Sequence, residues 1–301
     1  MRLEPSERVT HADRLGDALS TPGRREVACG RYMVGPTAGG DSMDTWLVVP
    51  CYNEASRWNS EYWRDVLQVE GVRWLFVDDG SSDETLCILQ GLRSDGSDGS
   101  VEVLQQPKNR GKAEAVRAGL LSLLARGDVQ GPVGFMDADG AFEPADIRRL
   151  VSLQTSSGEH YEAVWSSRVA LAGRAIHRSI WRHYVSRAIA TVVCWRDPTI
   201  PYDTQSGFKI FEASPTLSAV LREPLRTRWM FEPELLARWK TVTGRPLRVW
   251  EEPLTAWSEV AGSHLRGREL LRISRELVTV KVEQAKASRR LQRRPRPLPE
   301  R

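Results

Sequence analysis

The sequence predicts an α/β protein: a mostly parallel sheet flanked by helices, followed by a less regular C-terminal part. Three observations lead there. Short apolar runs recur with little alternation of polarity, as in strands covered on both faces. Segments with apolar residues at helical spacing separate them. Four runs then end in polar or charged residues: Tyr52-Asn53-Glu54, Asp78-Asp79, Lys108-Asn109-Arg110 and Asp137-Ala138-Asp139. Parallel sheets bind ligands at the carboxyl ends of their strands. Turn chemistry explains one such cluster readily, and four in register much less well.

The elements follow in order. Residues 1–44 are polar, and "GPTAGGDS" at 35–42 reads as a linker, so a flexible leader is expected. "WLVVP" (46–50) is the first strand. "SEYWRDVLQ" (60–68) carries Tyr62, Trp63, Val66 and Leu67 at helical spacing. "VRWLFV" (72–77) is the second strand, and Ser81 with Glu84 reads as a capping box opening the next helix. "VEVLQQ" (101–106) is the third strand. "GKAEAVRAGLLSLLARG" is a helix with Val116, Leu120, Leu123 and Leu124 on one face. "PVGFM" is the fourth strand, and Pro144 starts the helix after it, a favoured first position. "EAVWSSR" (162–168) is the fifth strand. Beyond it, 174–195 reads as a basic amphipathic helix, 202–212 as a turn feeding a strand, and 228–240 as a helix. A C-terminal helix and basic tail occupy 267–301; from Lys286 the tail has seven Arg or Lys against one Glu and is expected to be solvated.

Composition narrows the class. The 301 residues suffice for one large domain or two smaller ones; they are 41% hydrophobic and 27% charged, with net charge +4. The basic charge is concentrated in the tail and not on a recognisable motif, so no nucleic-acid partner is expected. Four scattered cysteines form no C-x-x-C pair, which argues against zinc and suits a reducing, cytoplasmic setting. No run of 18 apolar residues exists, and the N-terminus lacks the apolar core of a signal peptide. The excess of Arg over Lys hints at a GC-rich bacterial genome. Eleven Trp is a high count, and some are expected on surfaces that touch a ligand, partner or lipid.

Asp137-x-Asp139, closing the fourth strand, crowds two like charges together. A divalent cation shared with a phosphate would account for that crowding. "VVPCYNE", "VDDGSSDET", "KNRGKAEAVRAG" and "DADG" stand in the order and spacing seen in family 2 glycosyltransferases. Downstream, "SSR", "DTQSGFKIF", "RWMFEPELL" and "EEPLTAWSEVAGSHL" resemble the dolichyl-phosphate β-glucosyltransferase (polyprenyl-phosphate glycosyltransferase) branch. The resemblance covers about residues 45–266, with a nucleotide-sugar part at 45–169 and an acceptor part at 170–266. It implies the GT-A fold, a Mg²⁺ or Mn²⁺ cofactor, and inverting hexosyl transfer from a nucleotide sugar, UDP-glucose first and GDP-mannose second.

Roles follow by the same resemblance. Asp139 is the expected metal ligand, with Asp137 at the metal, its water or the ribose. Pro50, Tyr52 and Glu54 line the nucleobase pocket. Asp79 bonds uracil or ribose, while Asp78 buttresses its turn. Lys112 meets base or phosphate at a helix start. Arg168 lies near the phosphates, and Asp203 and Gln205 beside donor sugar and acceptor. Lys209 either contacts phosphate or alternates outward on a strand. The family usually has Asp where Glu232 stands and a less rigid residue at Pro233, which leaves the role of Glu232 open; Glu234 matches directly.

A polyprenyl-phosphate acceptor is already anionic and requires charge balance, from Arg168, Arg178 or Arg187. A soluble hydroxyl acceptor requires a general base, for which Glu232, Glu234 and Asp203 are the candidates. The absence of an apolar span favours the soluble acceptor. The basic helix 174–195 favours peripheral contact with the inner face of a membrane. A non-catalytic nucleotide-sugar binding protein is the alternative of a different class. A sugar nucleotidyltransferase is disfavoured, because "PCYNEASR" stands where its Gly-rich loop would be.

Overall fold

The computed structural model describes residues 44–95, 100–156, 161–177, 180–195, 197–258 and 267–293. Among them nine strands form two sheets: β1 (Thr45–Cys51), β2 (Val72–Asp78), β3 (Val101–Gln105), β4 (Val133–Met136), β5 (Ala163–Ser167), β6 (Ala175–His177), β7 (Phe208–Phe211), β8 (Val249–Pro253) and β9 (Ala256–Ser258). The large sheet has the order β3-β2-β1-β4-β7-β5-β8, and β6 pairs with β9 in parallel. Every neighbour in the large sheet is parallel except β7, which runs against both β4 and β5. That reversal matters. The start of β7 reaches the edge where the other strands end, so the segment before it, Asp203–Gly207, joins the polar strand ends.

The strands alternate their side chains between two apolar layers. Val48, Val77, Phe135 and Trp165 join one cluster, and Leu47, Val49, Phe76 and Met136 join the other. Both faces are therefore covered, which accounts for the continuous apolar runs. The helices are α1 (Ser60–Val66), α2 (Thr85–Asp95), α3 (Lys112–Leu124), α4 (Pro144–Ser156), α5 (Ile180–Cys194), α6 (Pro215–Leu221), α7 (Phe231–Thr243) and α8 (Gly267–Arg293). α3 buries Val116, Leu120 and Leu123 against the first layer, together with Phe231, Leu235 and Trp239 of α7.

Three expectations are corrected here. Residues 174–195 are not one helix: Ala175–His177 pair with β9, and α5 begins at Ile180. The capping box does not form, because the Ser81 hydroxyl accepts the Asn53 N–H at 3.0 Å; Asp83 caps Thr85 N at 3.0 Å instead. Within the basic tail, Lys286–Arg293 continue α8, and Ala287 is buried. α8 is also tied to α5: Lys281 Nζ and Gln284 Nε2 donate to the Val193 carbonyl at 3.0 and 3.2 Å. Among the described residues no helix is long and apolar enough to cross a membrane. The expected leader, apart from Asp44, and residues 294–301 lie outside the described residues.

Candidate active site

The edge is built around the end of β4. Asp137 N–H donates to the Gly207 carbonyl at 2.9 Å, extending the β4–β7 ladder by one rung. Its carboxylate meets Lys112 Nζ at 2.6 Å. Gly207 leaves the room for that carboxylate, since a Cβ there would stand 2.9 Å from Asp137 Oδ1 and nearer still to its Oδ2 and carboxyl carbon. Asp139 accepts the Ala141 N–H at 3.2 Å across a turn in which Gly140 takes φ 79°. Burial, then the neighbouring Asp137, push the Asp139 pKa up to about 6, against the pull of Lys112 and Arg57.

Asp137, already facing Lys112, and Asp139 offer hard carboxylate oxygens, and that donor chemistry fits a Mg²⁺ or Mn²⁺ ion. Among the described residues no cluster of three or more His, Cys, Asp or Glu could hold a metal. Phosphate and water would complete such a shell.

At the end of β1, Tyr52 stands exposed and Pro50 is half-buried. One expectation changes. Glu54 is buried and grips the Arg57 guanidinium through both oxygens, while its N–H donates to Thr85 Oγ1 at 2.7 Å. It anchors the turn and does not line a pocket with a free carboxylate. Asp79 accepts the Arg110 and Gly111 N–H groups at 2.9 and 2.7 Å. Each oxygen thus accepts one N–H of the loop ahead of Lys112 and keeps a second acceptor position. Asp78 does buttress the turn, accepting Ser81 N–H at 3.2 Å.

Lys112 opens α3 behind Gly111, whose φ of 95° only glycine adopts without strain. Burial opposes the Lys112 charge, but Asp137, Glu232 and Asp139 raise its pKa overall. The same loop is covered by Arg228, which donates to Asn109 Oδ1 at 2.9 Å. Sequence reasoning missed Arg228, whose signal was only the "RW" before "MFEPE". It also missed Arg57, which faces Asp139.

Just beyond β5, Arg168 is not a free cation. Its Nε and Nη2 hold the two oxygens of Asp203 at 2.8 Å each, and its guanidinium lies 5.2 Å from the Trp257 ring centroid. Asp203 is accordingly no base. Burial works against its charge, yet Arg168 holds its pKa well below the ordinary carboxylate range. Glu251 fixes the same loop, accepting the Tyr202 and Asp203 N–H groups at 2.7 and 2.6 Å. Gln205 keeps a buried Nε2 without a partner. Between α5 and this loop lies a small cleft of about 30 Å³, lined by Arg168, Arg187, Tyr202 and Gln205. Arg187 stacks over Tyr202 at 3.7 Å. Arg178 lies outside the described residues.

Glu234 is excluded as a base as well. It is fully buried and accepts from Arg226 N, Thr227 N, Thr227 Oγ1 and Arg238 Nη2 at 2.7–3.1 Å. Its work is to fasten the 226–230 segment to α7; Glu276 of α8 adds bonds to Trp229 N and Met230 N at 2.9 and 3.0 Å. Glu232, two residues earlier, is different. It is 3% exposed, its Oε1 is 3.3 Å from Lys209 Nζ, and its Oε2 has no partner. Burial raises its pKa, against Lys209 and Lys112. Pro233 sits in the first turn of α7, where its missing N–H costs no helical bond. Lys209 neither alternates outward nor reaches the surface: it is wholly buried.

The profile of the family described as Glycosyl transferase family 2 matches residues 46–229. A dolichyl-phosphate beta-glucosyltransferase of Drosophila melanogaster is 31% identical over 237 residues, spanning 74% of this chain and 70% of that protein. Dolichyl-phosphate beta-glucosyltransferase ALG5C of Trichomonas vaginalis is 29% identical over 253 residues, 79% and 71% of the two chains. Both relatives are eukaryotic, so they lend no support to the bacterial origin hinted at by the Arg excess. Among solved structures, glucosyl-3-phosphoglycerate synthase from Mycobacterium tuberculosis, in complex with Mn²⁺, UDP and glucosyl-3-phosphoglycerate, superposes with a TM-score of 0.58 at 20% identity, over 81% of this chain and 80% of that one. Mannosyltransferase PcManGT from Pyrobaculum calidifontis, with GDP-Man and Mn²⁺, gives 0.53 at 16% identity, over 80% and 64%. This chain is a GT-A enzyme and belongs to glycosyl transferase family 2.

Proposed function

We propose that this enzyme transfers glucose, with inversion, from UDP-glucose to the phosphate of a polyprenyl phosphate, with Mg²⁺ or Mn²⁺ held by Asp139 and Asp137. The observation that carries the donor half is the paired carboxylate at the end of β4, set against Lys112 and given room by Gly207. The names of the relatives support glucose and the lipid-linked phosphate. GDP-mannose is the second candidate donor.

The chemistry is one in-line displacement. An acceptor oxygen forms a bond to the anomeric carbon while the bond to the UDP oxygen breaks, its electron pair leaving with UDP. When bound, the cation supplies neutralisation of the departing diphosphate. Lys112 adds a fixed positive charge beside Asp137. An anionic phosphate oxygen needs no base, only placement, and the cleft beside α5 offers Arg187 and Gln205 for that. Contact with a cytoplasmic membrane face is favoured by the exposed Tyr184 of α5 and by exposed Trp195 beyond it.

A second reading has its own observation. The partnerless Oε2 of Glu232 suits a general base, which only a hydroxyl acceptor would require. Product mass spectrometry separates the readings. Enzyme, UDP-glucose and Mg²⁺ are incubated with polyprenyl phosphate or with a metabolite extract. A hexose mass gain on the polyprenyl phosphate is expected. A gain confined to hydroxyl metabolites replaces the acceptor, and bound UDP-glucose without any product returns the chain to a binding role.

A further inference from the structure

We propose that Lys209 is a positioning residue: an internal counter-ion that fixes the Glu232 carboxylate so that Oε2 receives a hydroxyl of a sugar substrate. The inference rests on the transferase reading for the identity of that hydroxyl.

An ammonium group inside a sheet protein is expensive to bury and is tolerated where it is paired and hydrogen-bonded. Lys209 lies on β7, the reversed strand, between Phe135 of β4 and Trp165 of β5. It has no exposed surface. Its Nζ donates to the Ser206 carbonyl and stands 3.3 Å from Glu232 Oε1. The ring centroids of Trp165 and Phe135 lie 4.8 and 5.4 Å from the nitrogen, close enough for cation–π attraction. Burial, and after it Lys112, oppose the Lys209 charge and lower its pKa overall, so the carboxylate of Glu232, the Ser206 carbonyl and the two ring faces are what hold an ammonium there.

Stability alone does not explain such a pair. Replacing a buried ion pair by apolar residues of similar volume is often neutral or stabilising. What the pair does provide is a carboxylate with one oxygen tethered and one free. Glu232 Oε2 is buried, lacks a partner and sits on the first turn of α7. The charged groups facing Glu232 are Lys209 from β7, Lys112 from the start of α3 and Arg168 beyond β5. Those facing Lys209 are Glu232, Lys112, Asp203 and Asp137. Lys112 is bound to Asp137 and Arg168 to Asp203, which leaves Lys209 as the cation committed to Glu232. A sugar hydroxyl is the group that completes Oε2, because it donates a hydrogen bond and carries no charge to desolvate.

The test compares Lys209→Met, Lys209→Arg and Lys209→Met/Glu232→Gln with wild type, reading kcat/KM across pH, UDP affinity and melting temperature. In Lys209→Met, kcat/KM is expected to fall about 100-fold, the lower end of what a positioned acid–base group supplies. The acid limb of its profile should move to higher pH, with UDP affinity unchanged. Lys209→Arg should bring the limb back toward its wild-type position. Wild-type turnover and an unmoved limb in Lys209→Met would make Lys209 a packing residue and overturn the proposal.

Should Lys209→Met fold poorly, the double variant decides. It should melt higher than Lys209→Met, because no lone carboxylate stays buried, and equal melting would overturn the pairing. The donor and acceptor sources of the hydroxyl are separated by deoxy-glucose donors, since a polyprenyl phosphate has no hydroxyl to offer. A wild-type enzyme with no turnover on any acceptor would refute the transferase reading itself, a result distinct from an active wild type beside an unaffected Lys209→Met.

Discussion

Replacing Gly207 by Ala is expected to disable the donor site while leaving every charged side chain in place. Gly207 precedes β7 and pairs its carbonyl with Asp137 N–H at 2.9 Å. Its φ lies outside the left-handed region, so alanine suits the backbone there. The conflict is with one carboxylate: the new methyl would stand 2.9 Å from Asp137 Oδ1 and closer to the rest of that group. To regain ordinary contact distance the carboxylate must retreat by about 1 Å. That movement breaks the 2.6 Å approach to Lys112 Nζ and shifts the oxygens offered to the cation. A misplacement of about 1 Å in a reacting assembly costs roughly 100-fold in rate. The assay is kcat/KM for UDP-glucose at saturating Mg²⁺ or Mn²⁺, with melting temperature as the check that the variant is folded. Gly207→Ala that folds and turns over at the wild-type rate would refute the placement of Asp137 in the donor site.

Two further outcomes concern stability. Glu234→Ala removes a buried carboxylate and strands Arg238 and two backbone N–H groups, so urea denaturation should show a loss of about 3–5 kcal/mol. A loss near zero would restore Glu234 to the list of catalytic candidates. Asp203 is held below the ordinary carboxylate range by Arg168. The unfolded chain therefore takes up a proton first as pH falls through about 4, and the stabilisation present above that pH is lost on acidification. Melting temperature between pH 6 and pH 3 should fall more steeply for wild type than for Asp203→Asn, and equal slopes would contradict the pairing.

Much of the sheet was legible because its physics is local. Strands covered on both faces must be apolar throughout, and Val48, Val77 and Phe135 announce this without any partner being known. The polar edge was legible for the same reason, since apolar runs stop where charged residues begin. β8 was missed because "VWEEP" is only half-buried, with Glu251 and Glu252 committed to the 202–203 loop and to Arg149. β6 escaped notice within a helical pattern because its pairing with β9 joins residues about 80 apart.

The chemical roles were the least legible part. Whether a carboxylate is free depends on partners that folding brings from elsewhere. Asp203 meets Arg168 across 35 positions, and Asp79 meets Gly111 across 32. Glu232 and Glu234 differ by one residue in sequence between them, yet one is saturated with donors and the other keeps an open oxygen. Nothing in "FEPE" distinguishes them.

The central claim is that the carboxylates closing β4 hold the cation that grips the donor's diphosphate. It is tested most directly by calorimetric titration of UDP with and without Mn²⁺, on wild type and Asp139→Asn. Wild type should bind UDP at least about tenfold more tightly with Mn²⁺, a coupling of about 1.4 kcal/mol, and Asp139→Asn should lose that gain. An Asp139→Asn protein whose UDP affinity still rises with Mn²⁺ as in wild type would place the cation elsewhere and contradict the account.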